Sequence, residues 1–273
     1  MTKHFREGSF EGAGASPGGA EGSSRRRPTV SRFEVILFDV DGTLFDFERA
    51  ETHALSAAFA DLGEPWNEGL LPAYQRINSR LWREFENGTI TTSYLRTERF
   101  ARFCREVGSK ADPAAFAGRY LARLGEASFL IDGAEAVVRR LFGRHRLAII
   151  TNGLSEVQHA RIERSPIAGL FEAVVVSEEV GVQKPEAGIF QVAFDLLGIS
   201  DRSQAIMVGD SLSSDVQGGA NFGIATCWLN RRSGAASSRS APPAPSAIVA
   251  PGTRPHWEIS DLRELVPIVE DSS

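Results

Sequence analysis

The chain has 273 residues, 42% of them hydrophobic and 24% charged, with a formal net charge of -5. That balance excludes wholesale disorder and coiled-coil or collagen-like character, and the longest unbroken apolar runs are four residues, far short of the ~20 that a membrane helix needs. A mild negative charge offers nucleic acid no basic face, and two cysteines, Cys104 and Cys227, are too few for a disulfide framework or a zinc site, so a reducing, cytoplasmic setting is expected.

Residues 1–30 are rich in Gly, Ser, Ala and Glu without periodicity, which predicts a disordered tail; Val30, just ahead of the first strand, is a second candidate for the natural start. Phe33 to Phe38 is the first apolar run of strand length, and it leads straight into Asp39-Val40-Asp41-Gly42-Thr43. Helical periods alone then follow through residues 47–125. Leu55, Phe59 and Leu62 share one face; Leu70, Tyr74, Ile77, Leu81 and Phe85 a second; Phe100, Phe103 and Val107 a third; Phe116, Tyr120 and Leu124 a fourth, after the helix start Asp112-Pro113. Four helices inserted at the carboxyl end of a strand predict a cap over the place where open α/β sheets bind ligands.

Further strand-length runs lie at Leu147 to Ile150, Ala173 to Val176, Ala205 to Val208 and Ile224 to Leu229. Helices at Ser155 to Arg164 and Pro185 to Leu197 separate them, the second closed by Gly198. Apolar strands alternating with helices predict an α/β fold, a doubly wound parallel sheet built from residues 31–46 and 126–273. Residues 233–255, with five prolines among Ala and Ser, predict a flexible loop, after which His256 to Ile259 reads as a last strand and a helix begins near Asp261.

Three of these strands end in a short polar residue: Asp39, Thr151 and Asp210. In a parallel sheet those ends lie side by side. One acid in such a place is more often a helix cap; several together, with Asp41 and Asp215 nearby, repel unless a cation sits among them. Carboxylates without cysteine or histidine describe an oxygen site for a hard metal, hence Mg2+. Only three of the 30 basic residues are lysine: Lys3, Lys110 and Lys184. Lys184, in Gly181-Val182-Gln183-Lys184-Pro185, follows the third strand, where a compact ammonium can contact a phosphate oxygen and a carboxylate together.

Taken in order, Asp39-Val40-Asp41-Gly42-Thr43, Thr151-Asn152-Gly153, Lys184-Pro185 and Gly209-Asp210 through Asp215 resemble the four motifs of the haloacid dehalogenase-like phosphohydrolase superfamily, in its class with a helical cap. The resemblance implies a Rossmann-like core and a two-step phosphoryl transfer. Asp39 would be the nucleophile and Asp41 the acid and base; Asp39, the Asp41 carbonyl and Asp210 would hold Mg2+, with Asp215 behind them. Thr151 and Lys184 would bind the phosphoryl group, aided by backbone N–H groups near Gly42 and Asn152. An acid at 41 and threonine at 43 favour ester hydrolysis over dehalogenation or a mutase.

More narrowly, Phe85 to Thr91, Ser177 to Pro185 and Ala225 to Asn230 look like the pyrimidine 5′-nucleotidases that clear non-canonical nucleotides, although some of those carry a larger polar residue in place of Gly42. The implied partner is a small-molecule phosphate ester, a nucleoside monophosphate first. Another small-metabolite phosphatase, on a sugar phosphate or phosphoglycolate, stands second and a phosphotransferase or mutase third. In the cap, Trp82, Phe85 and Tyr94 could stack on a base, though their spacing fits bundle core equally well. His53, His145, His159, Glu178 and Glu179 read as surface or packing residues.

Overall fold

The structure is a computed structural model that describes residues 32–231 and 254–270. The expected tail and nearly all of the expected loop at 233–255 lie outside the described residues. Six short strands, β1 (Val35–Phe38), β2 (Arg146–Thr151), β3 (Ala173–Val176), β4 (Ala205–Gly209), β5 (Ala225–Leu229) and β6 (Trp257–Ile259), form one sheet in the order β3-β2-β1-β4-β5-β6, with every pair parallel. Between β1 and β2 run α1 (Phe47–Asp61), α2 (Leu71–Glu86), α3 (Thr92–Val107), α4 (Pro113–Glu126) and α5 (Ala134–Leu141). Later crossovers carry α6 (Ser155–Glu163), α7 (Ser177–Val180), α8 (Ala187–Leu197) and α9 (Gln217–Phe222), and α10 (Leu265–Glu270) follows β6.

Side chains alternate along β1, and that alternation dictates the layers. Val35 and Leu37 enter one apolar cluster with Ile189, Phe190 and Phe194 of α8; Ile36 and Phe38 enter another with Val137 and Leu141 of α5 and Leu265 of α10. Both faces of the sheet are therefore covered, as all-parallel sheets require. Strand β1 lies at the centre, between β2 and β4, which brings the ends of all three together.

Helices α1 to α4 form the cap. Asp46, Thr91 and Asp112 accept hydrogen bonds from the N–H groups of Arg49 (3.1 Å), Tyr94 (3.2 Å) and Ala115 (2.8 Å), which starts α1, α3 and α4; each such cap contributes about 1 kcal/mol. The apolar faces converge on Phe59, Tyr74, Phe100, Phe103, Phe116 and Tyr120, all buried. Phe116 meets Phe59 edge-on at 5.0 Å and stacks on Phe100 at 5.3 Å between centroids. Leu154 and Val157, at the start of α6, join this cluster, while Ile162 of the same helix packs into the sheet side. Helix α6 thus belongs to both bodies.

The chain leaves and rejoins the sheet through a two-stranded neck. Phe45 pairs antiparallel with Leu130, the Asp46 N–H donates to the Phe129 carbonyl and the Ile131 N–H to the Leu44 carbonyl, each at 2.9 Å.

Two local details differ from the sequence reading. Helix α8 starts at Ala187, so Pro185 stands ahead of its first turn, joined to Lys184 by a cis peptide bond. The extra short helix α7 lies where spacing gave no signal, because four residues cannot establish a helical period.

Candidate active site

Strand pairing carries Asp39 into place: its N–H donates to the Val208 carbonyl at 2.9 Å, holding the end of β1 against β4. Lys184 is almost wholly buried beside it. Its Nζ donates to Asp39 Oδ1 at 2.6 Å, to Asp215 Oδ1 at 2.7 Å and to the Ile150 carbonyl at 2.8 Å, so all three ammonium hydrogens have acceptors. The Asn152 side chain holds the lysine's own backbone: Nδ2 donates to the Lys184 carbonyl and Oδ1 accepts from the Lys184 N–H, both at 2.8 Å. Asn152 was expected to act through its backbone N–H; its side chain fixes Lys184.

Asp215 accepts a second bond from the Ser211 N–H at 2.9 Å. It sits in a wide helical turn, Leu212–Val216, where the Val216 N–H reaches back five residues to the Ser211 carbonyl at 3.1 Å. Asp210 directly follows β4. A Cβ on Gly42, whose φ is +87°, would stand 2.2 Å from Asp210 Oδ2, so the glycine lets that carboxylate close against the loop after β1. Thr151, at the end of β2, is buried, and its Oγ1 accepts from Gln158 Nε2 at 3.1 Å.

Carboxylate oxygens of Asp39, Asp210 and Asp215 all lie within 4.8 Å of one another. Burial raises the Asp39 pKa to about 7, with Asp215 and Asp41 adding to the rise and Lys184 opposing it. Burial, then the neighbouring Asp39 and Asp215 charges, also push Asp210 well up. Burial alone would lower the Lys184 ammonium, but the pull of Asp215 and Asp39 outweighs it and the pKa rises. Lys184 hydrogen-bonds Asp39 and Asp215 but not Asp210, whose carboxylate has no hydrogen-bond or ion-pair partner among the described residues and feels the ammonium only as a weaker attraction. An all-oxygen donor set with one carboxylate unpaired among the described residues fits a hard divalent cation such as Mg2+.

Asp41 is held by two side chains of α6. Arg161 Nη1 donates to its Oδ1, and Gln158 Nε2 donates to its Oδ2 at 2.8 Å. Neither partner was expected from the sequence. The available signal was their i, i+3 spacing, which puts two polar groups on one side of a helix whose neighbouring residues Val157 and Ile162 are buried.

A cavity of about 310 Å3 opens between cap and sheet, lined among others by Asp41, Asn78, Trp82, Arg99, Leu124 and Ser211. Trp82 therefore reaches it. Phe85 instead packs edge-on against Trp82 at 5.7 Å, and Tyr94 is exposed and accepts from Arg102 Nη2 at 3.3 Å; neither is among the lining residues. Asn78 and Arg99, also unanticipated, belong to a buried polar group in which Arg99 Nη1 donates to Asn78 Oδ1 and Asn78 Nδ2 to Glu51 Oε1, both at 3.2 Å. Glu178 and Glu179 pair with Arg96 and His159 and are not part of the carboxylate cluster. Burial pushes the Cys227 thiol up to about 12, leaving it a small buried hydrophobe. No described helix is long and apolar enough to cross a membrane.

Comparison with known proteins gives the same architecture. The pyrimidine 5′-nucleotidase YjjG of Escherichia coli is 35% identical over 234 residues, covering 86% of this chain and 96% of that protein. The pyrimidine 5′-nucleotidase PynA of Streptococcus pneumoniae is 32% identical, over 72% of this chain and 84% of its own. The crystal structure of the HAD-hydrolase YfnB of Bacillus subtilis, bound to magnesium and revealing interdomain movement, superposes with a TM-score of 0.75 at 34% identity, over 87% of this chain and 99% of that one. With the haloacid dehalogenase-like hydrolase family matching residues 33–223, across all four motif segments and the inserted cap, the chain belongs to that family of hydrolases.

Proposed function

We propose that this hydrolase cleaves phosphomonoesters through an aspartyl-phosphate on Asp39, with Mg2+ as cofactor and (deoxy)pyrimidine nucleoside 5′-monophosphates, non-canonical ones included, as substrates. The observation that carries the reading is the place of Asp41, beside the Asp39 cluster in sequence and on the wall of the cavity under the cap. An alcohol leaving from a phosphate seated at Asp39 would meet a proton-transfer group there.

In the first step an Asp39 oxygen attacks phosphorus, the ester P–O bond breaks, and the departing oxygen takes a proton from Asp41. In the second, Asp41 takes a proton from water as the water oxygen attacks phosphorus, and the acyl-phosphate bond breaks to restore Asp39 and release phosphate. Thr151 holds a phosphoryl oxygen, and Lys184, whose three hydrogens lie on Asp39, Asp215 and the Ile150 carbonyl, keeps Asp39 aligned and turns the hydrogen on Asp39 to a phosphoryl oxygen as Asp39 attacks. Asp39, the Asp41 carbonyl and Asp210 would hold Mg2+, which would supply positive charge against the phosphoryl oxygens. Asp215, committed to Lys184 and the Ser211 N–H, supports the cluster from behind.

The substrate class rests on the two relatives named as pyrimidine 5′-nucleotidases and on a cavity that offers Trp82 as a flat apolar surface and Asn78 and Arg99 as polar contacts. Phosphate release with Mg2+ should favour dUMP, UMP and dTMP over purine monophosphates, sugar phosphates and phosphoglycolate. Equal rates across that panel would move the assignment to a general small-metabolite phosphatase. Asp39→Asn and metal chelation should each lower turnover by at least about a thousandfold; a fully active Asp39→Asn enzyme would end the mechanism.

A further inference from the structure

Arg161 is fully buried, yet it is a guanidinium with one nitrogen, Nη2, that has no hydrogen-bond partner among the described residues. Burial of an incompletely satisfied charge is costly, and packing alone would be met better by leucine or methionine. Its other contacts have a pattern. Nη1 donates to Asp41 Oδ1, Nε donates to the Ala127 carbonyl at 3.2 Å, and the guanidinium lies over the Phe45 ring at 5.0 Å. The Arg161 carbonyl accepts from Ser128 Oγ at 2.8 Å. Phe45 belongs to the outgoing strand of the neck, while Ala127 and Ser128 precede its returning strand. One residue thus touches both sides of the neck and the carboxylate of Asp41. Gln158, one turn earlier on α6, completes the hold by joining Asp41 to Thr151 through a single amide nitrogen.

We propose that Arg161, assisted by Gln158, is a positioning residue that ties the alignment of Asp41 to the geometry of the cap's neck. The inference rests on the reading of Asp41 as the proton-transfer group. A guanidinium held between the Ala127 carbonyl and the Phe45 ring presents one nitrogen, Nη1, to Asp41 Oδ1, and the same nitrogen donates to Gln158 Oε1 at 3.4 Å. Movement of the cap about the neck shifts Ala127, which packs in the cap's cluster, relative to Phe45, which packs in the sheet's, hence the guanidinium, hence the carboxylate. Proton donation then comes into register with the cap's position over the substrate, a distance and angle requirement that general acid catalysis imposes.

The test uses leaving groups. An alkyl phosphate such as dUMP needs a proton delivered to its departing oxygen, whereas p-nitrophenyl phosphate releases a stable anion and does not. Asp41→Asn should lower kcat/KM for dUMP far more than for p-nitrophenyl phosphate; if both fall equally, the reading of Asp41 fails and takes this inference with it. Given that signature, Arg161→Met should reproduce it, with a loss of about a hundredfold on dUMP and less than about fivefold on p-nitrophenyl phosphate, and Gln158→Leu should give a weaker form. Arg161→Met in the Asp41→Asn background should add little further loss. Phe45→Leu, which removes the ring while leaving the backbone bridge between Phe45 and Asp41 in place, should move dUMP alone by a few fold. Should Arg161→Met fold poorly, Arg161→Lys and Gln158→Leu carry the same comparison. An equal loss on both substrates in the Arg161 and Gln158 variants would mean a purely structural role, and an unchanged ratio in Phe45→Leu would remove the link to the neck.

Discussion

Lys184 is held by three oxygens and clamped along its backbone by Asn152, so its position is set from both ends. Its ammonium is the cation that keeps Asp39 and Asp215 together in a buried place. Lys184→Met would leave two carboxylates close together without it, and in chelator at neutral pH should cost about 3–5 kcal/mol of stability by denaturant unfolding. That loss should shrink as pH falls and a carboxylate can take up a proton. Lys184→Arg retains charge but replaces a compact point donor with a planar fork too large for three convergent oxygens; steady-state assays should show turnover reduced by at least about a hundredfold. Asp39, Thr151 and Asp210 were legible in the sequence because each ends an apolar strand, and Lys184 because lysine is so rare in this chain. Gln158 and Arg161 were not: their partner Asp41 is 117 and 120 residues away in the chain, and spacing does not distinguish an inward polar residue from a solvated one.

The cap's helices were legible as elements because their apolar residues recur every three to four positions, but the polar group inside them was hidden by the same periodicity. Glu51 of α1 sits in that interior, and burial raises its pKa to about 7 from an ordinary 4.5, against the hydrogen bond from Gln75 and the attraction of Arg99. The folded state therefore holds this proton where the unfolded chain releases it, and stability falls as pH rises from about 4.5 to 7. The slope is worth up to about 3 kcal/mol; Glu51→Gln should remove most of it, seen as a Tm at pH 8 closer to that at pH 5.5 than in the parent. Helix α3 also reaches across to the sheet body, where Arg96 Nη2 donates to both oxygens of Glu178 at 2.9 and 3.0 Å while Glu178 accepts from the Ser155 N–H that opens α6. Both side chains are partly exposed, which limits the pair to about 0.5–1 kcal/mol of preference for this arrangement. Arg96→Gln should raise KM about two- to fivefold with little loss of kcat, and should flatten the rise of KM with added salt.

At the scale of the whole molecule, the strand order places Asp39 between Thr151 and Asp210, so three segments distant in sequence meet at one edge. That meeting follows from parallel pairing and was legible; the contacts through the neck were not, since they depend on how two connecting segments pair. Cation binding to the cluster should stabilise the folded state by mass action. Mg2+ at a hundred times its Kd should add about 2.7 kcal/mol, read as a rise in Tm that chelator reverses, and Asp210→Asn should abolish the response.

The paired neck also bears on how such a chain diversifies. Because Phe45 and Leu130 lie side by side, the ends of the insertion are fixed by the sheet body, and the chain between them is a closed loop hung on a finished scaffold. Loop closure grows only logarithmically with length, so doubling the inserted segment costs about 0.6 kcal/mol. Substrate choice can therefore be rewritten by exchanging everything beyond the neck, while the six strands, their order and the carboxylates at their ends stay as they are.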